Sequence, residues 1–316
     1  MLRYQGYWYN MIVFVTGATG YVGRAVVAEV IRRGHTVRCL VRHPETGAAQ
    51  RLRALGNVEL IKGDLIVDED LVPGMEGCDA VIHLVGIIAE LGRKTFQQIH
   101  VEGTRKVVRT AISSGTRRYI HMSALGTRQG AASRYHQTKW AAEQIVRSSG
   151  LDWTIFRPSV IHGPGDQFVT RLARMSVWTP FIPVIGPGNY KLQPVSLGTV
   201  AFCFGAALET QKSIGEVYDL CGDERLTFEE VVDLILAAVG RRRVKLRIPV
   251  KIALTVAQLM ECVYPRLFGR PPIISRDQIV MLQEDNVGDP RPAREAFGFG
   301  PDLFTVSIKS YLGVKQ

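Results

Sequence analysis

A tyrosine and a lysine four positions apart, Tyr135 and Lys139, are the pair of residues best suited to chemistry in this sequence. Residues i and i+4 share one face of a helix, which places the ammonium beside the phenol. A free phenol has a pKa near ~10, and lowering it by ~3 units with a neighbouring charge corresponds to about 4 kcal/mol. The pair is predicted to be catalytic, with Tyr135 protonating a carbonyl as hydride arrives; the alternative is an exposed lysine on an amphipathic helix.

A glycine-rich turn follows the first apolar run. Gly17, Gly20 and Gly23 come directly after residues 13–16. The first glycine permits a tight turn, the second lets the backbone approach a pyrophosphate, and the third lets the following helix pack on the strand. The helix N-terminus then faces the phosphates. The turn predicts a bound dinucleotide, the alternative being a role in packing alone. The predicted contacts also include Thr19, Tyr21 and Val22.

An arginine ends the second predicted strand. Arg42 stands nineteen residues beyond Gly23, where an NAD-binding protein usually carries an acidic residue for the ribose 2′-hydroxyl. A guanidinium suits a 2′-phosphate instead, and Arg24 offers a second contact. The sequence therefore predicts a preference for NADP(H), with NAD(H) as the weaker ligand. The alternative is a solvated arginine at a strand end.

Three further residues complete the predicted cofactor site. Asp64 follows the third strand and is expected to accept a hydrogen bond from the adenine amino group, although an aspartate that caps a turn is the alternative. Leu65 comes next, and Val85 ends the fourth strand. Lys139 is expected to reach the nicotinamide ribose as well. No metal site is predicted, because the histidines and cysteines lack ligand spacing.

Alternating strand-like and helical segments run from Met11 to about Arg157. This order is typical of a parallel sheet with helices on both faces. The predicted fold class is α/β, a doubly wound Rossmann sheet with a small, mainly helical C-terminal cap. Strands are expected at 11–16, 36–41, 58–63, 79–86, 118–123 and 153–158, and helices at 21–33, 96–114 and 134–148.

The predicted domain boundaries follow changes in residue composition along the chain. Residues 1–10 are expected to form an N-terminal extension, 11–165 the nucleotide domain, which resumes at about 192–222, and 166–191 with 223–316 a smaller cap. Glycine and proline predict loops over 162–168 and 181–190. Helices are expected at 226–239 and 250–264.

Composition indicates an ordinary globular protein of 316 residues, 46% of them hydrophobic. The five cysteines lack C-x-x-C spacing and are expected to be reduced. No apolar run reaches ~18 residues, and the N-terminal segment does not resemble a signal peptide. The prediction is a cytoplasmic protein, with peripheral binding at the inner face of the membrane as the alternative.

Positive charge concentrates in the predicted cap of this chain, whose net charge is +10. Nine basic residues lie between Arg241 and Arg276, with Glu261 as the one acid. The helix predicted at 250–264 is apolar nearly all round. It is either a core helix in a solvated basic region or a surface that faces anionic lipid or a quinone. Nucleic acid is not expected as a partner, because the arginines have no aromatic interleaving.

Several segments resemble the extended short-chain dehydrogenase/reductase superfamily, namely 17–23 (GATGYVG) and 135–139 (YHQTK). Residues 121–127, 133–143, 156–168 and 275–287 are similar to its atypical group. That group includes the Rossmann-type accessory subunit of mitochondrial respiratory complex I and its bacterial relatives. The resemblance implies an NAD(P)-binding domain, Tyr135 and Lys139 as the catalytic pair, and a respiratory complex as a candidate partner.

Two positions depart from the family's pattern. The family's catalytic serine falls on Ala124, with Ser123 as the candidate substitute, and His100 replaces the usual asparagine. Losing one oxyanion donor costs about 10² to 10³ in rate, so slow turnover is expected. The short interval between Ala124 and Tyr135 makes a nucleotide-sugar substrate less favoured.

Three functions stay open at this point. The first is an NADP(H)-dependent oxidoreductase for a small, hydrophobic carbonyl or alcohol, which uses Ser123, Tyr135 and Lys139. The second is a non-catalytic binding module, an assembly or redox-sensing protein, as the complex I resemblance implies. The third is a nucleotide-sugar epimerase or dehydratase. His162 and Asp166 are candidate substrate contacts, although turn chemistry is favoured for both.

Overall fold

A computed structural model describes residues 10–66 and 71–313, so the N-terminal extension predicted at residues 1–10 lies outside the described residues except for Asn10. The strands are β1 (Ile12–Thr16), β2 (Thr36–Val41), β3 (Val58–Lys62), β4 (Ala80–His83), β5 (Arg118–Met122), β6 (Asp152–Pro158), β7 (Ile161–His162), β8 (Phe181–Ile185), β9 (Lys191–Leu192), β10 (Val195–Ser196), β11 (Glu216–Leu220), β12 (Leu226–Thr227) and β13 (Val244–Ile248). The helices are α1 (Tyr21–Arg32), α2 (Gly47–Arg53), α3 (Val72–Met75), α4 (Gly103–Ser113), α5 (Arg134–Arg147), α6 (Val169–Trp178), α7 (Leu197–Ala207), α8 (Phe228–Ala238), α9 (Val250–Phe268), α10 (Arg276–Met281), α11 (Arg291–Phe297) and α12 (Phe304–Leu312).

Seven parallel strands form the central sheet in the order β11-β6-β5-β4-β1-β2-β3. Strand β1 lies between β2 and β4, with Val15 level with Cys39 on one side and with Ile82 on the other. The strand order reverses at this point, and ligands bind at the carboxyl ends of the strands that flank such a reversal. The predicted α/β class with a doubly wound parallel sheet is confirmed.

Helices cover both faces of this sheet. On one face α1, α7 and α11 bury Val26, Phe204 and Phe297 against the strands. On the other face α4 and α5 bury Val107 and Val146. Strand β1 reads IVFVT, the nearly continuous apolar run that a sheet buried on both faces requires.

The helix that carries the predicted catalytic pair has a clear start. Ser133 precedes α5 in extended conformation, and its side chain accepts the backbone N–H of His136 at 3.1 Å. This bond satisfies one of the N–H groups that the first turn of a helix leaves unpaired. The helix predicted at 96–114 divides into a π-helical turn (Gln97–Glu102) and α4.

The C-terminal part of the chain builds a second core. Strand β8 and helices α6, α8 and α12 meet there, with Val184 and Phe304 fully buried. The loop predicted over 181–190 is wrong for Phe181–Ile185, which pairs in parallel with β13. Alternate β-branched residues fit a half-buried strand, and the edge position of β8 tolerates its proline.

Helix α9 runs past its predicted end at Tyr264 to Phe268, with Pro265 inside its last turn, and stops at Gly269 in the left-handed conformation. Ala253 and Ala257 are its buried residues. Helix α9 is therefore a surface helix and not the core helix that one interpretation expected. Among the helices described, none is long and apolar enough to cross a membrane.

Three short helices, α10, α11 and α12, were not predicted. Helix α11 packs on the central sheet through Ala293 and Phe297, although it belongs to the segment 223–316 assigned to the cap. The division into a nucleotide domain and a cap stays a prediction.

Candidate active site

The glycine turn leaves no room for larger side chains. Gly17 has φ +77°, and a Cβ there would lie 3.2 Å from the backbone of Leu84 and Val85. A Cβ on Gly23 would overlap the carbonyl oxygen of Gly17. Both positions have the geometry that the nucleotide-binding turn requires, a sharp bend and close packing of helix on strand.

The start of α1 is open to an anion. Gly20 is its extended N-cap residue and provides no side-chain cap, and the first turn, Tyr21 to Arg24, contains no acidic residue. Thr19 and Gly20 are exposed, whereas Tyr21 and Val22 are half-buried. Free N–H groups and the helix dipole favour a phosphate at such an end. The turn therefore fits the pyrophosphate of a dinucleotide.

The residues predicted to contact the adenosine part of the cofactor differ from one another in exposure and in hydrogen bonding. Arg42 is exposed directly after β2, and within residues 10–66 and 71–313 it has no carboxylate partner. Asp64 accepts the N–H of Ile66 at 3.1 Å, which is the turn-capping arrangement. Leu65 is buried against Gly103.

Tyr135 lies among aromatic rings near the carboxyl end of β4. Phe96 and His100 meet its ring edge-on, at centroid distances of 5.9 and 5.3 Å. Burial raises the pKa of Tyr135 to about 12, and the carboxylate of Asp277 adds to the rise. The expectation that Lys139 lowers this pKa is wrong for this structure, because burial of the phenol dominates.

Lys139 is nearly inaccessible to water, with 3% of its surface exposed. Its Nζ donates to the carbonyl oxygen of Met122 at 2.9 Å and would lie 3.1 Å from a Cβ on Gly86. Burial lowers the pKa of Lys139 to about 8, against the opposing effect of Glu143. The ammonium is thus held at the carboxyl edge of the sheet, where Gly86 gives it space.

Ser123 has a partner other than Tyr135. Its hydroxyl donates to Oε1 of Glu143 at 2.6 Å, and Arg157 donates to both oxygens of the same carboxylate at 2.8 and 2.7 Å. The backbone N–H of Ser123 still bonds to Phe156 in the neighbouring strand, so the chain has not left the sheet at this residue. The hydroxyl proton of Ser123 is committed to a buried carboxylate.

His100 links the loop after β4 to helix α5. The N–H of Ile87 donates to its Nε2 at 3.1 Å, and its Nδ1 lies 2.9 Å from Oγ1 of Thr138. Because Nε2 accepts, the neutral ring carries its proton on Nδ1 and donates it to Thr138. Burial, with a further effect from Lys139, lowers the pKa of His100 to about 2. His100 therefore has a fixed, uncharged structural role in place of the family's asparagine.

Asp277, on α10, is the site residue that sequence reasoning missed most completely. Its carboxylate accepts the backbone N–H of Arg134 at 2.7 Å and of Tyr135 at 3.0 Å. These are the first two amides of α5, so α10 supplies an anion to the N-terminus of α5. Glu143 was also missed, although its position four residues after Lys139 was a readable signal.

A cleft of 560 Å³ lies beside this helix start, between the nucleotide domain and the cap. Its walls combine apolar side chains with charged ones. Phe96 contacts both the cleft and Tyr135. The lining residues are Glu90, Phe96, Arg134, Leu254, Glu261, Pro272, Ser275, Arg276, Asp277 and Val280.

His162 and Asp166 lie in structural positions. Asp166 accepts the backbone N–H groups of Phe168 and Thr170 at 2.8 and 3.1 Å, and His162 is buried edge-on to Phe304. Asp166 fits the turn role favoured from the sequence, whereas His162 packs in a core and, within the ranges described, makes no turn bond of that kind. In the described part of the chain, no group of histidine, cysteine and acidic residues is close enough to hold a metal ion.

Known proteins share this architecture. Residues 17–173 match a family model described as NAD(P)H-binding. The chain is 28% identical to the mitochondrial NADH dehydrogenase (ubiquinone) 1 alpha subcomplex subunit 9 of Dictyostelium discoideum, over 87% of this chain and 76% of that protein. It is 29% identical to the 2-alkyl-3-oxoalkanoate reductase of Stenotrophomonas maltophilia, over 93% of this chain and 96% of that protein.

A solved structure has the same fold. The UDP-glucuronic acid 4-epimerase of Bacillus cereus, solved with UDP-glucuronic acid and NAD, has a TM-score of 0.72 at 18% identity, and the match covers 96% of this chain and 98% of that one. The resemblance stated from the sequence is confirmed.

Proposed function

We propose that this chain, an NAD(P)H-binding protein of the reductase and epimerase family, is an NADP(H)-dependent reductase of hydrophobic carbonyl compounds. The observation that carries the proposal is the position of Tyr135 and Lys139. Tyr135 lies in the first turn of α5, next to Arg134 and Phe96 of the cleft wall. Lys139, one turn later, holds its ammonium at the carboxyl edge of the sheet. Ligands bind at this edge in doubly wound folds.

Tyr135 and Lys139 would have separate roles in the reduction. When bound, the cofactor would supply hydride to the carbonyl carbon. Tyr135, protonated at neutral pH because burial raises its pKa, donates its phenolic proton to the carbonyl oxygen. Lys139, fixed by the carbonyl of Met122, places a positive charge beside the nicotinamide ribose and the developing oxyanion.

Ser123 is proposed to act indirectly. Its bond to Glu143 holds the carboxylate that sustains the charge of Lys139. With Ala124 at the family's serine position, one oxyanion donor is missing, which typically costs about 10² to 10³ in rate. We therefore expect a slow enzyme.

The substrate class is proposed from the cleft and from one relative. Phe96, Leu254 and Val280 offer apolar surface. The cleft arginines, Arg134 and Arg276, are paired with Glu90 and Glu261, so the cleft supports the alkyl part of a substrate and not a carboxylate. The reductase from Stenotrophomonas is named for 2-alkyl-3-oxoalkanoates, and a ketone with alkyl substituents fits both observations.

The second candidate is a non-catalytic nucleotide-binding module, as the relative in complex I suggests. The commitment of Ser123 to Glu143 favours it, because the hydroxyl proton of this candidate substitute is not free for an oxyanion. A nucleotide-sugar epimerase has less support, since Arg42 stands where NAD-binding relatives use an acid.

Replacement of Tyr135 by phenylalanine tests the proposal. NADPH consumption is followed with a series of 3-oxo acids and ketones of increasing chain length. We expect Tyr135→Phe to lower kcat by about 10² or more and to leave NADPH affinity nearly unchanged. Tyr190→Phe is the matched control, because the buried hydroxyl of Tyr190 has no partner among the described residues. Equal turnover of Tyr135→Phe and the wild type would contradict the proposed role of Tyr135. No turnover by the wild type, with NADPH still bound, would favour the binding module.

A further inference from the structure

Helix α9 has an exposed apolar side that the proposed function does not use. Its five largest apolar residues on that side are between 41 and 68% exposed. At about 100° per residue they fall within roughly 80° of arc. We call them the apolar stripe: Ile252, Val256, Leu259, Val263 and Leu267.

The buried side of α9 points elsewhere. Ala253 and Ala257 pack in a small core with Ile279 of α10, and their mean direction is about 100° from the centre of the stripe on a regular helix. Soluble proteins rarely leave a continuous apolar row of this kind in water. The stripe runs along about 22 Å of helix at 1.5 Å per residue, so it forms a docking surface and not an isolated exposed leucine.

The segment that contains the stripe, residues 241–276, is rich in cations. Three cations of this region are neutralised by carboxylates, at 2.7 Å for Lys245 with Asp233, 2.9 Å for Arg247 with Glu229 and 2.7 Å for Arg276 with Glu261. Six others have no carboxylate partner in the ranges 10–66 and 71–313. They are Arg241, Arg242, Arg243, Lys251, Arg266 and Arg270.

We propose that this side of α9 docks on the surface of an anionic lipid bilayer. An amphipathic helix lies in such a surface with its apolar side among the acyl chains and its cations at the headgroups. Lys251 lies in the first turn of the helix, Arg266 in its last turn and Arg270 just after its end, so cations flank both ends of the stripe. Each cation near an anionic surface adds attraction that salt screens.

A second copy of the chain is a poorer occupant. In a two-fold interface the same patch faces itself, which would bring Lys251, Arg266 and Arg270 close to their own copies. The acid of α9, Glu261, is already paired with Arg276. Charge complementarity therefore favours an anionic surface.

The docked position has a consequence for the cleft, and this step rests on the proposed function. Leu254 and Glu261, on the side of α9 away from the stripe, form part of the cleft wall. A docked α9 would hold the cleft next to the bilayer surface. Substrates with long alkyl chains could then enter from the lipid.

Vesicle flotation with the full chain tests the proposal. The probes are phosphatidylcholine vesicles with and without roughly 30% phosphatidylglycerol, an anionic fraction large enough to set up a surface potential. We expect flotation with the anionic vesicles only. Raising the salt concentration from about 0.1 to 0.5 M is expected to weaken binding about tenfold or more, because screening shortens the reach of the charges.

Two variants with matched controls separate the apolar and the charged contributions. Leu259→Ser with Leu267→Ser removes the most exposed part of the stripe, and Ile112→Ser with Val306→Ser removes comparable exposed apolar residues elsewhere. We expect flotation of the first pair to be about tenfold weaker than that of the wild type. The control pair is expected to float as well as the wild type. The second comparison reverses the charges of Lys251, Arg266 and Arg270. Its control reverses the charges of Arg51, Arg53 and Arg109, which are exposed elsewhere.

Two results would overturn the proposal. One is that the wild type does not float with the anionic vesicles, or that the stripe and control substitutions weaken its flotation equally. The other is a concentration-dependent dimer of the wild type, by light scattering, that the stripe variant abolishes without any loss of flotation. NADPH binding by every variant, measured separately, shows that the nucleotide site is intact and keeps this outcome independent of the proposed function.

Discussion

At residue scale, the protonation states of Tyr135 and Lys139 define what the site can do. Burial holds the pKa of Tyr135 at about 12 and that of Lys139 at about 8. Tyr135 is thus a proton donor across the neutral range, which suits carbonyl reduction. Lys139 loses its positive charge in the mildly alkaline range.

The pH dependence of reduction follows from these two values. We expect kcat for carbonyl reduction to be level from about pH 6 to 7.5 and to fall above about pH 8, as Lys139 loses its proton. Tyr135 contributes no inflection in this range, since its pKa is higher. In Lys139→Arg, whose guanidinium stays charged, the fall near pH 8 is expected to disappear. A fall that persists in a folded Lys139→Arg protein would assign the inflection to another group.

Sequence spacing identified some of these residues and could not identify others. The glycine turn and the Tyr135–Lys139 pair are local, so one helix or one turn fixes the relation between their members. The direction of the Ser123 side chain depends on where β5 ends, and Glu143 draws its hydroxyl away. The pKa of Tyr135 depends on burial by Phe96 and on Asp277, a residue 142 positions away in the chain. Such long-range contacts leave no periodic signal.

At the scale of elements, the start of α5 joins the nucleotide domain to the cap. Ser133 caps the helix from within the domain, and Asp277 of α10 accepts its first two amides. A carboxylate at a helix N-terminus is stabilised by the helix dipole. The position of Tyr135 is therefore linked to the position of the cap.

Replacement of Asp277 by asparagine removes this charge and keeps the shape. We expect a loss of about 1 kcal/mol in the free energy of unfolding. We also expect the pH at which alcohol oxidation accelerates to shift downward, because Asp277 raises the pKa of Tyr135. Urea denaturation and pH–rate profiles measure the two effects.

The control for this variant is Asp285→Asn. Asp285 also accepts a backbone N–H, that of Lys191 at 2.7 Å, but it does not act on Tyr135. It is expected to change stability without moving the pH profile. An identical profile for Asp277→Asn and the wild type would show that Asp277 has a structural role alone.

The predicted elements of the nucleotide domain were largely correct because strong apolar runs and amphipathic periods define them. The elements after Pro158 were harder. Phe181–Ile185 reads as a loop from its proline and the glycines that follow, and it becomes a strand through pairing with β13. Tertiary pairing of this kind overrides local propensity.

At the scale of the whole molecule, three buried histidines make stability depend on pH. His83, His100 and His121 are each about 1% exposed or less. Burial lowers the pKa of His83 to about 3 and of His100 to about 2, and holds that of His121 well below its ordinary value. All three are neutral in the folded protein.

Acid should therefore unfold the chain before its carboxylates titrate. The unfolded state binds protons at histidine below about pH 6.5, whereas the folded state does not bind them until about pH 3 or lower, so stability falls as pH falls through this window. Between pH 7 and 5.5 we expect a loss of about 1.2 kcal/mol for each of these histidines, about 4 kcal/mol for the three. His35, His136 and His162, whose pKa values burial also lowers, add to this loss. Urea titrations at these pH values measure it.

His121→Phe provides the comparison, because both ring nitrogens of His121 lack partners among the described residues. The pH-dependent loss should shrink by about 1.2 kcal/mol in this variant. His43→Gln, at an exposed histidine, should leave the loss unchanged. A pH dependence that is the same in His121→Phe and in the wild type would refute this assignment.

Isothermal titration calorimetry with NADPH and NADH tests the account most directly, because the proposed reductase activity assumes an NADP(H) site at the glycine turn. We predict that the wild type binds NADPH about tenfold or more tightly than NADH, through the exposed guanidinium of Arg42. Arg42→Ala should remove most of this difference, and Arg53→Ala should preserve it. Equal affinity for the two dinucleotides, or no heat with either one on folded protein, would contradict the account.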